Sequence, residues 1–273
     1  METPLPLTRS AFTRAELMAF CSSAALLFIL AATGAATSRG RSEATVCQGN
    51  LRQLTRAMIL YSEENRGYVP HASWGTDLTG PDNWAYATQN KGRLPGLGAI
   101  APSATGYLDN SPKVAVQHQF QHIGQLWPLV RDDRAFRCPA DDIHTLQLRG
   151  WYLGRANKVT SYSMNPAVIG VQSTFASVGE LGRTYKLEQF SGTAIAFWEA
   201  DESSAFNFND AASLPTDGAS SRHSGGSHVG RFDGAAEFWY HSQFMRQAGR
   251  AIGGAPAPLP NRLWCNPGST NGQ

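Results

Sequence analysis

The chain carries no charged residue from Leu17 to Ser38, between Glu16 and Arg39. At about 1.5 Å per residue, a helix of that length reaches roughly 33 Å, enough to cross the core of a bilayer. Ser22, Ser23, Thr33, Gly34 and Thr37 interrupt its apolar character. Three readings follow. A secretory signal peptide requires a small-residue cleavage site, for which Thr33 to Ala35 or Gly34 to Ala36 qualifies. A signal anchor requires only the span. The third reading depends on the residues just before it.

Beyond Arg39 the pattern changes period but still reads as helix. From Ser42 to Asn65 the apolar residues Val46, Leu51, Leu54, Met58 and Tyr61 recur three to five apart, with Arg52, Gln53, Arg56, Glu63 and Glu64 on the other face. Gly67 and Pro70 mark its end. The formal net charge of +2 over 273 residues, with scattered basic residues, excludes the basic stripe of a nucleic-acid binder.

The segment Ala11-Phe12-Thr13-Arg14-Ala15-Glu16-Leu17 resembles the prepilin processing site of type IV pilins and type II secretion pseudopilins. The resemblance implies a basic leader, residues 1–11, removed by a prepilin peptidase between Ala11 and Phe12, with N-methylation at Phe12. It assigns Glu16 to assembly, neutralising the amino terminus of a neighbouring subunit. Elementary electrostatics offers a local alternative: a carboxylate in the first turn of a helix is stabilised by the helix dipole. Arg14 and Ala15 stand where the family usually has aliphatic residues, which leaves polymerisation open.

The head carries further pieces in the order of the same pseudopilin-like family. These are Cys47 to Leu54, Phe136-Arg137-Cys138-Pro139-Ala140-Asp141, Ser161-Tyr162-Ser163-Met164-Asn165, Arg222-His223 through Asp233-Gly234 to Trp239, and Arg262 to Cys265. The fourth piece matches the family's H-x9-DG motif. Asp233-Gly234 between short alternating runs also predicts a hairpin with a type I′ turn, pairing Val229 to Phe232 with Glu237 to Tyr240. His223, Asp233 and Gly234 are read as structural, with His223 bonded to loop backbone. The sharper alternative gathers His223, His228 and Asp233 at a metal or a catalytic centre.

No nucleophile elbow, P-loop or dinucleotide fingerprint is present, so no catalytic residue and no enzyme activity are expected. No metal or cofactor is expected either. Calcium on the oxygen-rich stretch containing Asp201, Asp210 and Asp217 is the alternative. Cys47, Cys138 and Cys265 would face an oxidising compartment, and a Cys47–Cys138 disulfide is expected to staple helix to head; the alternative is that all stay reduced in packed sites. The aromatics Trp74, Trp84, Tyr86 and Tyr107 lie in a Gly- and Pro-rich middle segment that reads as long loops offering a contact surface.

The expected architecture is α+β and pilin-like. It has a leader (1–11), a transmembrane half-helix (12–38), an amphipathic half-helix (39–66), a head with a small antiparallel sheet (67–248) and a Pro/Gly-rich tail (249–273). The expected protein is a single-pass inner-membrane subunit or accessory of a type II secretion-like or pilus-like assembly, its head facing the periplasm or exterior. Its partners would be the prepilin peptidase and other pseudopilins or copies of itself, and no nucleic acid. The rivals are a membrane-tethered binder of an extracellular polymer such as carbohydrate and, third, a secreted hydrolase.

Overall fold

A computed structural model describes residues 13–72, 82–87, 112–141, 152–170, 184–250 and 255–273. The chain divides into two compact units, Met1–Ser42 and Glu43–Gln273. Helix α1 (Arg14–Glu64) contributes to both.

In the first unit α1 opens with a capping box. The Thr13 hydroxyl accepts from the Glu16 amide at 3.3 Å, and the Glu16 carboxylate accepts from the Thr13 amide at 2.8 Å. The apolar residues from Leu17 to Ile29 stand exposed, Phe28 at 76%.

The expected membrane half is overturned: among the described residues, no helix is long and apolar enough to cross a membrane. The interrupting Ser, Thr and Gly residues are the physical reason, because each dilutes the mean hydropathy that a span needs. The Ser22 and Ser23 hydroxyls also turn back to the Met18 and Ala19 carbonyls instead of adding apolar surface. The pilin-like fold class loses its defining element, and the transmembrane and inner-membrane expectations go with it.

In the second unit, α1 from Glu43 onward packs on an antiparallel sheet of order β1-β2-β3-β4 (Tyr162–Met164, Ile195–Glu199, Gly226–Arg231, Ala236–Tyr240). Cys47, Leu51, Leu54 and Met58 are fully buried in the core shared with Tyr162, Met164 and Phe197. Burying each large apolar side chain contributes about 1.5–3 kcal/mol. Val46, expected on this face, is instead half exposed. The helix ends where Arg66 (φ 59°) and Gly67 (φ 88°) turn left-handed and the Gly67 amide donates to the Ser62 carbonyl at 2.7 Å.

A bulge in β2 decides which side chains face the helix. The register jumps between Ile195↔Arg231 and Phe197↔Gly230, leaving Ala196 unpaired. Ile195 therefore joins Trp198 on the far face, against Val229, Trp239 and Phe244 of α2 (His241–Gln247), while Phe197 and Glu199 face α1. With both faces covered, β2 is buried along its whole length. Gly230 sets how closely the helix approaches, since a Cβ there would lie 2.6 Å from the Thr55 methyl.

The β3–β4 hairpin exists, but its turn differs from expectation. Arg231 and Ala235 close a three-residue loop, in which only Gly234 (φ 87°) is left-handed. The Asp233 carboxylate accepts from the Ala235 amide at 3.1 Å. This is a type I turn with a glycine bulge, because Asp233 spends its side chain on the turn instead of adopting positive φ. The primed turn lies earlier: Ser224 (φ 52°) and Gly225 (φ 83°) join the bridge His223↔Gly226.

The middle aromatics within the described residues are core, not contact surface. Trp84 is fully buried, stacks on Phe136 and meets Phe197 edge-on at 4.9 Å, and its indole donates to the Ala211 carbonyl at 2.9 Å. Tyr86 is equally buried. Trp74 and Tyr107 lie outside the described residues. The tail packs through Leu263 and Trp264, both buried.

Candidate functional site

Beneath α1 the fold gathers thiols, carboxylates and imidazoles that sit far apart in sequence. Cys47 projects from α1, Glu199 ends β2, His223 precedes the primed turn and His228 lies on β3. Cys138 follows a short 3-10 turn (Asp133–Phe136) that α1 itself holds, through Asn50 Nδ2 donating to the Arg134 and Arg137 carbonyls. All five are buried.

Glu199 is the hub. Its Oε1 accepts from the Cys47 thiol at 2.9 Å and from the His228 amide at 3.0 Å, and His228 Nδ1 is 3.2 Å away. Its Oε2, also fully buried, is ion-paired with His223 Nε2 at 3.2 Å. His223 Nε2 is also 3.2 Å from Cys138 Sγ, and the Tyr162 hydroxyl is 3.0 Å from Cys47 Sγ.

A second layer of charge encloses the hub. Arg222 Nη1 lies 3.3 Å from Asp141, Nη2 3.0 Å from Glu202 and Nε 3.9 Å from Glu199. Asp141 in turn accepts from Arg155 Nη1 and from the Ser161 hydroxyl, both at 2.7 Å. Arg155 is sandwiched between the Phe208 ring at 3.6 Å and the Tyr152 ring at 4.9 Å.

These contacts set the protonation states. Burial alone would protonate Glu199, but the hydrogen bonds of His223 and His228 and the charge of Arg222 hold it well below the usual carboxylate range. Burial would likewise keep His223 neutral, yet Cys138 and Glu199 raise it to about 10. Burial raises Cys138, and the hydrogen bonds of Cys47 and His223 with the charge of Arg222 outweigh that, bringing it to about 6. Burial, the Cys138 contact and the charge of Glu199 drive Cys47 far up. The contacts thus lower the Glu199 carboxyl and the Cys138 thiol and raise His223, with Cys47 held as a thiol that donates to Glu199. Both cysteines are buried, Cys47 fully and Cys138 at 2% exposure.

The expected site residues fare differently. Cys47 and Cys138 do meet, as free cysteines joined by a hydrogen bond and not by a disulfide. His223 uses its side chain on Cys138 and Glu199; only its backbone joins the turn. Asp233 and Gly234 stay in the hairpin turn, apart from the hub. Asp201, Asp210 and Asp217 cap the amides of Ser203, Ala212 and Leu214 and do not gather around a common point. Burial raises Asp217, partly offset by its bond from Leu214. Glu16 closes its own capping box, and the Thr13 amide lowers its pKa. Ala11 and Phe12 lie outside the described residues.

Sequence reasoning missed Glu199 as the partner of His223, and the Arg222–Asp141 ion pair beside it. A signal existed: the motif pieces around Cys47, Cys138-Asp141, Ser161-Tyr162 and Arg222-His223 all contribute to this one centre. Comparison with protein-family models, with curated proteins and with solved structures finds no match.

Proposed function

We propose that the chain is a non-catalytic assembly subunit of pseudopilin-like kind, processed between Ala11 and Phe12, whose N-terminal helix is buried among the equivalent helices of other copies. The observation that supports this reading is the exposure of Leu17, Met18, Phe20, Leu26, Leu27, Phe28 and Ile29 on α1. At 3.6 residues per turn these side chains point to every side of the helix. One partner helix covers a single stripe, so an all-round apolar surface calls for several neighbours, as in a bundle. Ala19, Ser22, Ser23, Ala24 and Ala25 between the bulky residues leave grooves for a neighbour's side chains. Arg14 and Glu16 at the helix start supply opposite charges for a staggered contact.

Sedimentation of the full chain without detergent tests this. The expected result is a discrete oligomer that Phe20→Glu with Leu27→Glu converts to monomer while the fold of residues 43–273 is kept. A wild-type chain that stays monomeric through the micromolar range refutes helix-mediated assembly. Intact mass from the native host should show a chain beginning at methylated Phe12.

A further inference from the structure

We propose that Cys47, Glu199, His223 and His228 form a structural site for a thiophilic divalent cation, zinc by its donor set, tying α1 to strands β2 and β3. One donor atom from each of the four residues lies within 4.8 Å of every other. With bonds of about 2.0–2.3 Å, a tetrahedral zinc site sets its ligand atoms roughly 3.3–3.8 Å apart. Cys47 Sγ and His228 Nδ1 lie 2.9 Å and 3.2 Å from Glu199 Oε1 and His223 Nε2 lies 3.2 Å from Oε2, so ligation through one oxygen needs these contacts to expand by about half an ångström and the carboxylate to turn toward the ion.

The donor types point the same way. One thiol, two imidazoles and one carboxylate suit zinc, whereas calcium and magnesium take oxygen alone. Glu199 Oε2 is fully buried and faces His223 Nε2 at 3.2 Å, so both atoms are placed to share one ion. As ligands, Cys47 and Glu199 each bring one negative charge to the ion's two positive ones. The Arg222–Asp141–Arg155 layer then holds Glu199 from outside, as outer partners do in established zinc centres. Cys138, 3.2 Å from His223, acts as a positioning neighbour in this arrangement.

The test uses the full chain, purified under reducing conditions, stripped with a chelator and titrated with Co²⁺ and then Zn²⁺. Expected are one Co²⁺ per chain, a thiolate-to-cobalt charge-transfer band, visible bands of tetrahedral intensity, and displacement of both by Zn²⁺. Cys47→Ser should abolish the charge-transfer band, and His228→Gln should weaken zinc binding by roughly a hundredfold. Cys265→Ser should change nothing. Should a hub variant fail to fold, the wild-type stoichiometry and spectrum still decide. A folded, reduced wild type that binds no stoichiometric ion overturns the proposal, as does a cobalt spectrum without the thiolate band. A native chain with a Cys47–Cys138 disulfide that takes up no metal after reduction overturns it equally.

Discussion

The buried charge layer permits a sharp prediction at Asp141. Asp141→Asn keeps the shape of the side chain and removes its charge, so the loss is electrostatic and leaves no cavity. Arg155 and Asp141 are 2% and 3% exposed at the side chain, 2.7 Å apart, and Asp141 is the one acid paired with Arg155 among the described residues. Arg222 keeps Glu202 at 3.0 Å, whereas Arg155 keeps only the faces of Phe208 and Tyr152. Breaking a buried ion pair from one side costs about 3–5 kcal/mol. The asparagine carbonyl can still accept one bond, which places the expected loss near the lower end, about 3 kcal/mol. Urea unfolding measures it as a shift in midpoint at constant slope.

The pH dependence gives an independent check. Burial raises the Asp141 carboxyl, but Arg222 and Arg155 outweigh it and hold its pKa below the usual range. A depressed carboxylate contributes stability that is complete above the unfolded value of about 3.9 and is lost as pH falls through the folded value. The gap between wild type and Asp141→Asn should therefore begin to close below about pH 3.9 and go on closing as pH falls toward the lower folded value. In a double-mutant cycle, Arg155→Met should recover part of the loss, because no buried charge is then left alone. A loss under about 1 kcal/mol at neutral pH, or a gap that fails to narrow in acid, refutes the reasoning.

Two further outcomes follow from packing and burial. Gly230→Ala places a methyl 2.6 Å from Thr55 Cγ2 and should cost about 1–3 kcal/mol by overpacking; adding Thr55→Ser, which removes that methyl, should recover most of it, as read by thermal unfolding. Burial lowers His71 from 6.5 to about 4, so the neutral ring is the folded form. Its contribution is complete above pH 6.5 and falls by about 3 kcal/mol as pH drops to 4, so the stability difference between wild type and His71→Gln should shrink over that window, and proton NMR should place the ring's titration near 4.

Local chemistry was legible along the chain. The three-to-five spacing of Leu51, Leu54 and Met58 marked the buried face of α1, and Gly67 marked its end, because a helix face and a left-handed cap each depend on a few adjacent residues. Asp233-Gly234 announced a hairpin for the same reason. The turn type was not legible, since Asp233 had two local uses and the strand register chose between them. The span from Leu17 to Ser38 shows the opposite failure: freedom from charge suggested a membrane half, but the small polar residues leave the helix short of the apolarity a crossing requires.

The buried centre belonged to the tertiary structure alone. Cys47, Cys138, Glu199 and His223 are separated by dozens of residues and share no period, so nothing local ties them together. They meet because the Ala196 bulge turns Glu199 toward α1, because Asn50 clamps the loop that carries Cys138, and because Ser224-Gly225 returns His223 onto β3. Helix faces and turns rest on interactions between near neighbours, which the order of residues fixes. Which carboxylate meets which imidazole depends on strand register and helix approach, and those are set only when the whole core closes.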